Sequence, residues 1–158
     1  MNRAPASVWR NPIHFLAFGL GSGASPWAPG TAGTLAAIPL WYLLAQLPLI
    51  TYLLIVLAAF AVGCWLCQRT SDDLGVHDHG GIVWDEFVGY WITMIAVPVA
   101  PVWALLGFVL FRVFDILKPW PIRWADQRVH GGFGIMLDDL IAGVFAALVL
   151  QIIIYVMA

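Results

Sequence analysis

Apolar residues gather into five runs, 34–47, 50–67, 87–97, 102–111 with Phe114 beyond it, and 140–157, and the charged positions are confined to the segments outside them. Five helices of unequal length fit this pattern best. Crossing a bilayer squarely takes about 20 apolar residues, so the first run and the two middle runs need flanking residues, tilt or local thinning to span. Pro48 separates the first two runs, and Pro98 and Pro101 the middle two, at places where a chain can reverse, which predicts helical hairpins. The alternative fuses 87–111 into one kinked span and gives four helices.

Charge placement decides between them. Every Lys, Arg, Asp and Glu lies within 1–10, 69–86 or 112–139, and the turns at Pro48 and at Pro98 to Pro101 carry none. Five spans put all three charged segments on one side, which the positive-inside tendency makes cytoplasmic, whereas a fused span splits them across the bilayer. The expectation is an amino terminus inside, a carboxyl terminus outside and a polar surface at the cytoplasmic boundary.

Composition sharpens this picture. The chain has 158 residues, 62% hydrophobic and only 10% charged, with mean hydropathy +0.89, which predicts an all-α polytopic integral membrane bundle forming a single domain over 1–158. A net charge of −2 speaks against nucleic acid, which is captured by basic patches. The apolar stretch 13–20 is short and lacks an Ala-x-Ala cleavage pattern, so no cleaved signal peptide is expected. Cys64 and Cys67 stand one turn apart inside an apolar run and read as reduced packing residues. Trp84, Trp120 and Trp124 read as interfacial anchors. Small residues such as Gly89 and Gly143 serve internal packing or self-association alike, so no oligomeric state follows from spacing.

Two stretches read almost alike: GIVWDEFVG at 81–89 and GIMLDDLIA at 134–142. Each sets two adjacent carboxylates, Asp85 with Glu86 and Asp138 with Asp139, at the expected mouth of an apolar helix. A carboxylate near lipid costs roughly 2.5 kcal/mol or more on insertion scales, so four of them call for compensation by a cation, hydrogen bonds or water. An ancient duplication explains the likeness, and so does convergence, because acids suit a helix amino terminus. Clustered carboxylate oxygens select hard cations, and Mg²⁺ typically takes one or two carboxylates together with water and substrate phosphate.

Other segments supply complementary chemistry. Arg112, Asp115 and Lys118, spaced by three, share a face at a helix end, where the two cations neutralise a phosphate or form structural ion pairs. The glycine-rich stretch 19–34 opens onto a helix, and its amides with the Thr31 and Thr34 hydroxyls suit a phosphate, although the nucleotide P-loop signature is absent. His77 and His79 lack the thiolate or third histidine of a familiar zinc site and read as a solvated loop. Asp72 and Asp73 read as capping or solvated groups, and Arg123, Asp126, Arg128 and His130 as mostly surface. Gly131, Gly132 and Gly134 read as a flexible approach to Asp138.

Taken together, FGLGSGASPWAPGTAGTL, HGGIVWDEFVGYWI, FRVFDILKPWPI and GGFGIMLDDLIAG, which cover about a third of the chain, resemble the phosphatidylglycerophosphatase A family of bacterial lipid phosphatases. The resemblance implies Mg²⁺-dependent hydrolysis of phosphatidylglycerophosphate to phosphatidylglycerol and inorganic phosphate at the cytoplasmic face of the inner membrane. On that reading Asp85, Glu86, Asp138 and Asp139 hold Mg²⁺ with Asp115 nearby. Lys118 and Arg112 contact the terminal phosphate, aided by Thr31 and Thr34, and one carboxylate, Asp85 or Asp138, activates water, with an aspartyl-phosphate as the alternative. Motifs of other lipid phosphatases and headgroup transferases are absent. A transporter is disfavoured because the charges concentrate at one boundary instead of the midplane, and an inactive assembly protein leaves those charges unexplained.

Overall fold

The computed structural model describes residues 4–157, and among these it contains seven α-helices and no strand. They are α1 (Pro12–Ala17), α2 (Pro29–Leu44), α3 (Leu49–Leu74), α4 (Trp84–Thr93), α5 (Pro101–Leu117), α6 (Ile122–Arg128) and α7 (Gly131–Met157). Each of the five apolar runs lies largely within one of the five longer elements, and α4 and α5 are separate helices, so the fused alternative falls away. The short α1 and α6 were not expected.

Proline and glycine set most boundaries. Pro29 and Pro101 open α2 and α5, where a missing N–H costs nothing. Pro48 precedes α3, and Gly75, at φ +66°, ends it in the left-handed conformation that glycine adopts without a Cβ clash. Asn11 caps α1, its Oδ1 accepting from the Ile13 amide at 2.9 Å.

Two helices depart from expectation. α3 runs on through Arg69, Asp72 and Asp73, well beyond the apolar stretch. α7 begins at Gly131, so the presumed flexible approach is helical and Asp138 and Asp139 sit inside the helix, not at its mouth. The physical reason is capping from elsewhere in the chain: the Gly131 amide donates to His77 Nε2 at 2.9 Å and the Gly132 amide to Gln68 Oε1 at 2.8 Å. Those bonds satisfy amides that a helix start leaves open.

α7 is the hub, packing against α3, α4, α5 and α6, while α4 is buried from Phe87 to Thr93. Close approach of α4 and α7 depends on glycine: a Cβ on Gly143 would stand 2.5 Å from the Gly89 carbonyl oxygen, and one on Gly89 would stand 2.9 Å from the Asp139 carbonyl oxygen. Buried aromatic donors bind carbonyls of neighbouring helices. Trp84 Nε1 reaches Ala59 at 3.0 Å, Trp91 Nε1 reaches Ala37 at 3.2 Å and Tyr90 Oη reaches Ala104 at 3.0 Å. Trp84, half-buried, stacks on Phe87, whereas Trp120 and Trp124 are exposed. Both cysteines are free thiols, and Cys67 is buried.

The outward faces are apolar. Exposed side chains include Ile50, Leu54 and Leu57 on α3, Val109, Val113 and Ile116 on α5, and Leu148 and Ile152 on α7. Two helices, α3 and α7, are long and apolar enough to cross a membrane.

Candidate functional site

Five elements bring their polar ends together. α4 contributes Asp85 and Glu86 from its first turn, α5 contributes Arg112 and Asp115 from its last turns with Lys118 as its cap, and α7 contributes Asp138 and Asp139. The loop before α4 adds His77 and Asp78, and α6 adds Asp126. All of these except Arg112 line one cavity of about 170 Å³.

Inside it, one ligand atom each from Asp85, Glu86 and Asp139 lies within 4.8 Å of the others. Three carboxylates at that separation repel by roughly 3 kcal/mol per pair at an effective dielectric near 20. Asp85 Oδ1, Glu86 Oε2 and Asp139 Oδ2 are each buried without a hydrogen-bond partner among the described residues. Arg112, with Nη1 3.8 Å from Glu86, is a nearby cation, but it also pairs with Asp115. Unpartnered buried oxygens in an all-carboxylate donor set fit a hard divalent cation such as the expected Mg²⁺.

Asp138 faces differently. Its Oδ2 accepts from Lys118 Nζ at 2.7 Å, and Lys118 also donates to Asp126 at 2.6 Å. The structure therefore separates Asp138 from the three-carboxylate cluster, because neighbouring positions on a helix point about 100° apart. Burial alone would lower the Lys118 pKa, but its bonds to Asp126 and Asp138 outweigh that and hold it above the ordinary lysine value. At the rim, partial desolvation pushes the Asp78 carboxyl above its usual range, opposed by the charge of Lys118.

The expected threonine and glycine contributions are corrected. Thr34 is fully buried and donates to the Gly30 carbonyl at 2.9 Å, so its hydroxyl holds the first turn of α2 together and does not face the cavity. Thr31 does not line the cavity either. The amides of Gly19, Gly21, Ser22, Gly23, Ala24 and Ser25 all donate to nearby carbonyls, which leaves none of these six for a phosphate. What this loop supplies is close packing: Gly23 lies against the Gly81 carbonyl and Gly33 against Val83. Gly30, at the start of α2, does reach the site, since a Cβ there would collide with Glu86 Oε1 and crowd the Arg112 guanidinium.

Sequence reasoning missed His77, Asp78 and Asp126 as lining residues. Asp126 had no signal, because its approach depends on the fold of α6 against α7. His77 is exposed, as a solvated loop residue is, and it also caps α7 at the cavity edge. His79 accepts from the Gly81 amide at 3.1 Å and shapes the loop leading to Asp85. Asp73 is committed elsewhere, to His14 Nε2 at 3.2 Å and Arg69 at 3.3 Å.

No solved structure matches this chain. A protein of Escherichia coli (strain K12) named phosphatidylglycerophosphatase A is 56% identical over 144 residues, 90% of this chain and 84% of its own. Its namesake in Haemophilus influenzae is 52% identical over 141 residues, 88% of this chain and 86% of its own. A Bacteroides thetaiotaomicron protein, provisionally named a phosphatidylinositol-3-phosphatase, is 40% identical over 142 residues, 85% of this chain and 88% of its own. The family description "Phosphatidylglycerophosphatase A" matches residues 15–154, a span that contains every carboxylate of the cavity, and the chain belongs to that family.

Proposed function

We propose that this protein is a Mg²⁺-dependent lipid phosphatase that hydrolyses phosphatidylglycerophosphate to phosphatidylglycerol and inorganic phosphate in phospholipid biosynthesis. The observation that carries the reading is the meeting of three carboxylates, each with one buried oxygen lacking a hydrogen-bond partner among the described residues, with Arg112 and Lys118 at one end of an apolar helical bundle. Substrate identity rests on the two relatives named for this activity.

Phosphate monoesters hydrolyse extremely slowly unaided, so positioning and charge stabilisation must supply most of the acceleration. Asp85, Glu86 and Asp139 would hold Mg²⁺, directly or through water. When bound there, the ion supplies positive charge against the phosphate oxygens. Arg112, whose Nε is buried without a partner, would turn its fork toward the same phosphate, alongside the first turn of α2. Lys118 offers a point charge from the opposite wall.

In the water route, Asp138 accepts a proton from the attacking water as its oxygen bonds to phosphorus. The phosphorus–oxygen ester bond breaks, and the lipid alcohol leaves with a proton drawn from water. Asp138 suits this role because it lines the cavity outside the three-carboxylate cluster.

The apolar outward faces support a polytopic single domain spanning the bacterial inner membrane through α2, α3, α4, α5 and α7. The charged residues sit at the common end of these helices, which the positive-inside tendency assigns to the cytoplasm.

The test is phosphate release from phosphatidylglycerophosphate by purified protein in mixed micelles, with phosphatidylinositol-3-phosphate as competitor. Release that requires Mg²⁺ and prefers the glycerophosphate headgroup is expected. Preference for the inositol lipid, or full activity after exhaustive chelation, would overturn the reading.

A further inference from the structure

Arg112 is a wall between two environments. Its guanidinium faces Glu86 and Asp115, both lining the acidic cavity, while its stem lines a furrow of about 330 Å³ on the outer side of α5. Two rows four residues apart form the furrow: Phe108, Arg112 and Ile116 on one side, Val109, Val113 and Leu117 on the other. Arg112 is the sole polar residue among these six, and its neighbours Val109, Val113, Ile116 and Leu117 are exposed.

We infer that this furrow holds one acyl chain of the lipid substrate while the headgroup phosphate occupies the acidic cavity on the far side of Arg112, a reading that rests on the proposed lipid phosphatase activity. From Phe108 to Leu117 the helix rises about 14 Å. That is the depth of one leaflet, half of a hydrocarbon core about 30 Å thick. Leu117 adjoins Lys118 at the polar boundary and Phe108 lies deeper along α5, so the furrow runs from the cavity edge inward, as a chain tethered to a headgroup must.

Two other apolar faces lie farther from the acidic cavity. Ile50, Leu54 and Leu57 sit at the start of α3, whose opposite end approaches the charged loops. Leu148 and Ile152 sit more than two turns beyond Asp139 on α7. Charge complementarity also favours the lipid: the residue whose stem lines the furrow carries, on the cavity side, a guanidinium suited to phosphate. An acyl chain seated here would set the register of the scissile phosphate against the carboxylates, which makes Val109 and Val113 specificity-determining positions.

The test fills the furrow. Val109→Trp and Val113→Trp, each on an outward face that already carries large apolar side chains, are compared with wild type on dioleoyl and dihexanoyl phosphatidylglycerophosphate in mixed micelles. The expected result is at least a fivefold rise in KM for the dioleoyl lipid and less than a twofold rise for the dihexanoyl one. Equal changes on both substrates, or none on either, would overturn the furrow assignment. Should either variant fail to purify as a folded species, Val113→Ala and Ile116→Ala read the same contact by loss, with dioleoyl KM rising against an unaltered dihexanoyl KM. Wild-type protein inactive on both lipids would instead remove the proposed phosphatase function, so the two failures are distinguishable.

Discussion

Asp139 concentrates the chemistry of the site in one side chain. It is only 3% exposed, belongs to the three-carboxylate cluster and keeps Oδ2 without a protein partner. Replacing it by Asn preserves shape but removes a charge from the donor set. We expect Asp139→Asn to lower phosphate release by about 10²-fold or more and to weaken Mg²⁺ or Mn²⁺ binding, measured by calorimetry on the folded variant. Unchanged metal affinity would show that the carboxylate has another purpose. Arg112 is a second case, since its Nη1 pairs with both Glu86 and Asp115, and a lysine there keeps the charge but loses the planar fork suited to phosphate. Arg112→Lys is expected to raise KM by about tenfold, read in substrate titrations at saturating metal. At this scale much of the site was legible in the sequence, because charged residues among apolar runs announce themselves. Thr34 misled because a hydroxyl bonded to its own helix is indistinguishable in sequence from one offered to a ligand.

At the scale of the element, the crossing of α4 and α7 decides whether the acids converge. Asp85 and Glu86 come from the first turn of α4, Asp138 and Asp139 from α7, and Gly89 and Gly143 lie on the same two helices where they touch. Thr93 Oγ1 on α4 reinforces the contact by donating to the Gly143 carbonyl of α7 at 3.4 Å. A side chain at Gly143 would drive into backbone, which cannot yield as a flexible side-chain tip does. Gly143→Val is therefore expected to cost about 1–3 kcal/mol in stability and to abolish activity without altering any acid, measured as a lower thermal midpoint in detergent together with lost phosphate release. The apolar runs located these helices but not their ends. α7 starts nine residues before its apolar run because His77 and Gln68 cap it, and such bonds between distant segments leave no local pattern.

The whole molecule departs from an ordinary globular arrangement, with carboxylates gathered in a cavity at one end of the bundle and leucine, isoleucine and valine on the outer faces of α3, α5 and α7. Exposed apolar patches of this extent would aggregate in water, so a bilayer is the environment that accounts for them. Orientation follows from the turns. The α2–α3 turn meets the α4–α5 turn around Leu47, Leu49, Met94 and Val97, at the end opposite the acidic cavity. Single cysteines at Asp72 and at Asp126, in a background lacking Cys64 and Cys67, should both react with an impermeant maleimide from the cytoplasmic side. A cysteine at Val99 should react only from the outside. Charge segregation along the chain leads to the same expectation because successive crossings put alternate loops on one side, and the fold keeps α4 and α5 as distinct helices joined by an uncharged turn. If positions 72 and 126 label from opposite faces, the charged segments do not share a compartment. The cavity that joins Asp78, Asp126 and Asp138 then cannot exist in the membrane-embedded protein, and the assignment of its residues to one reaction fails with it.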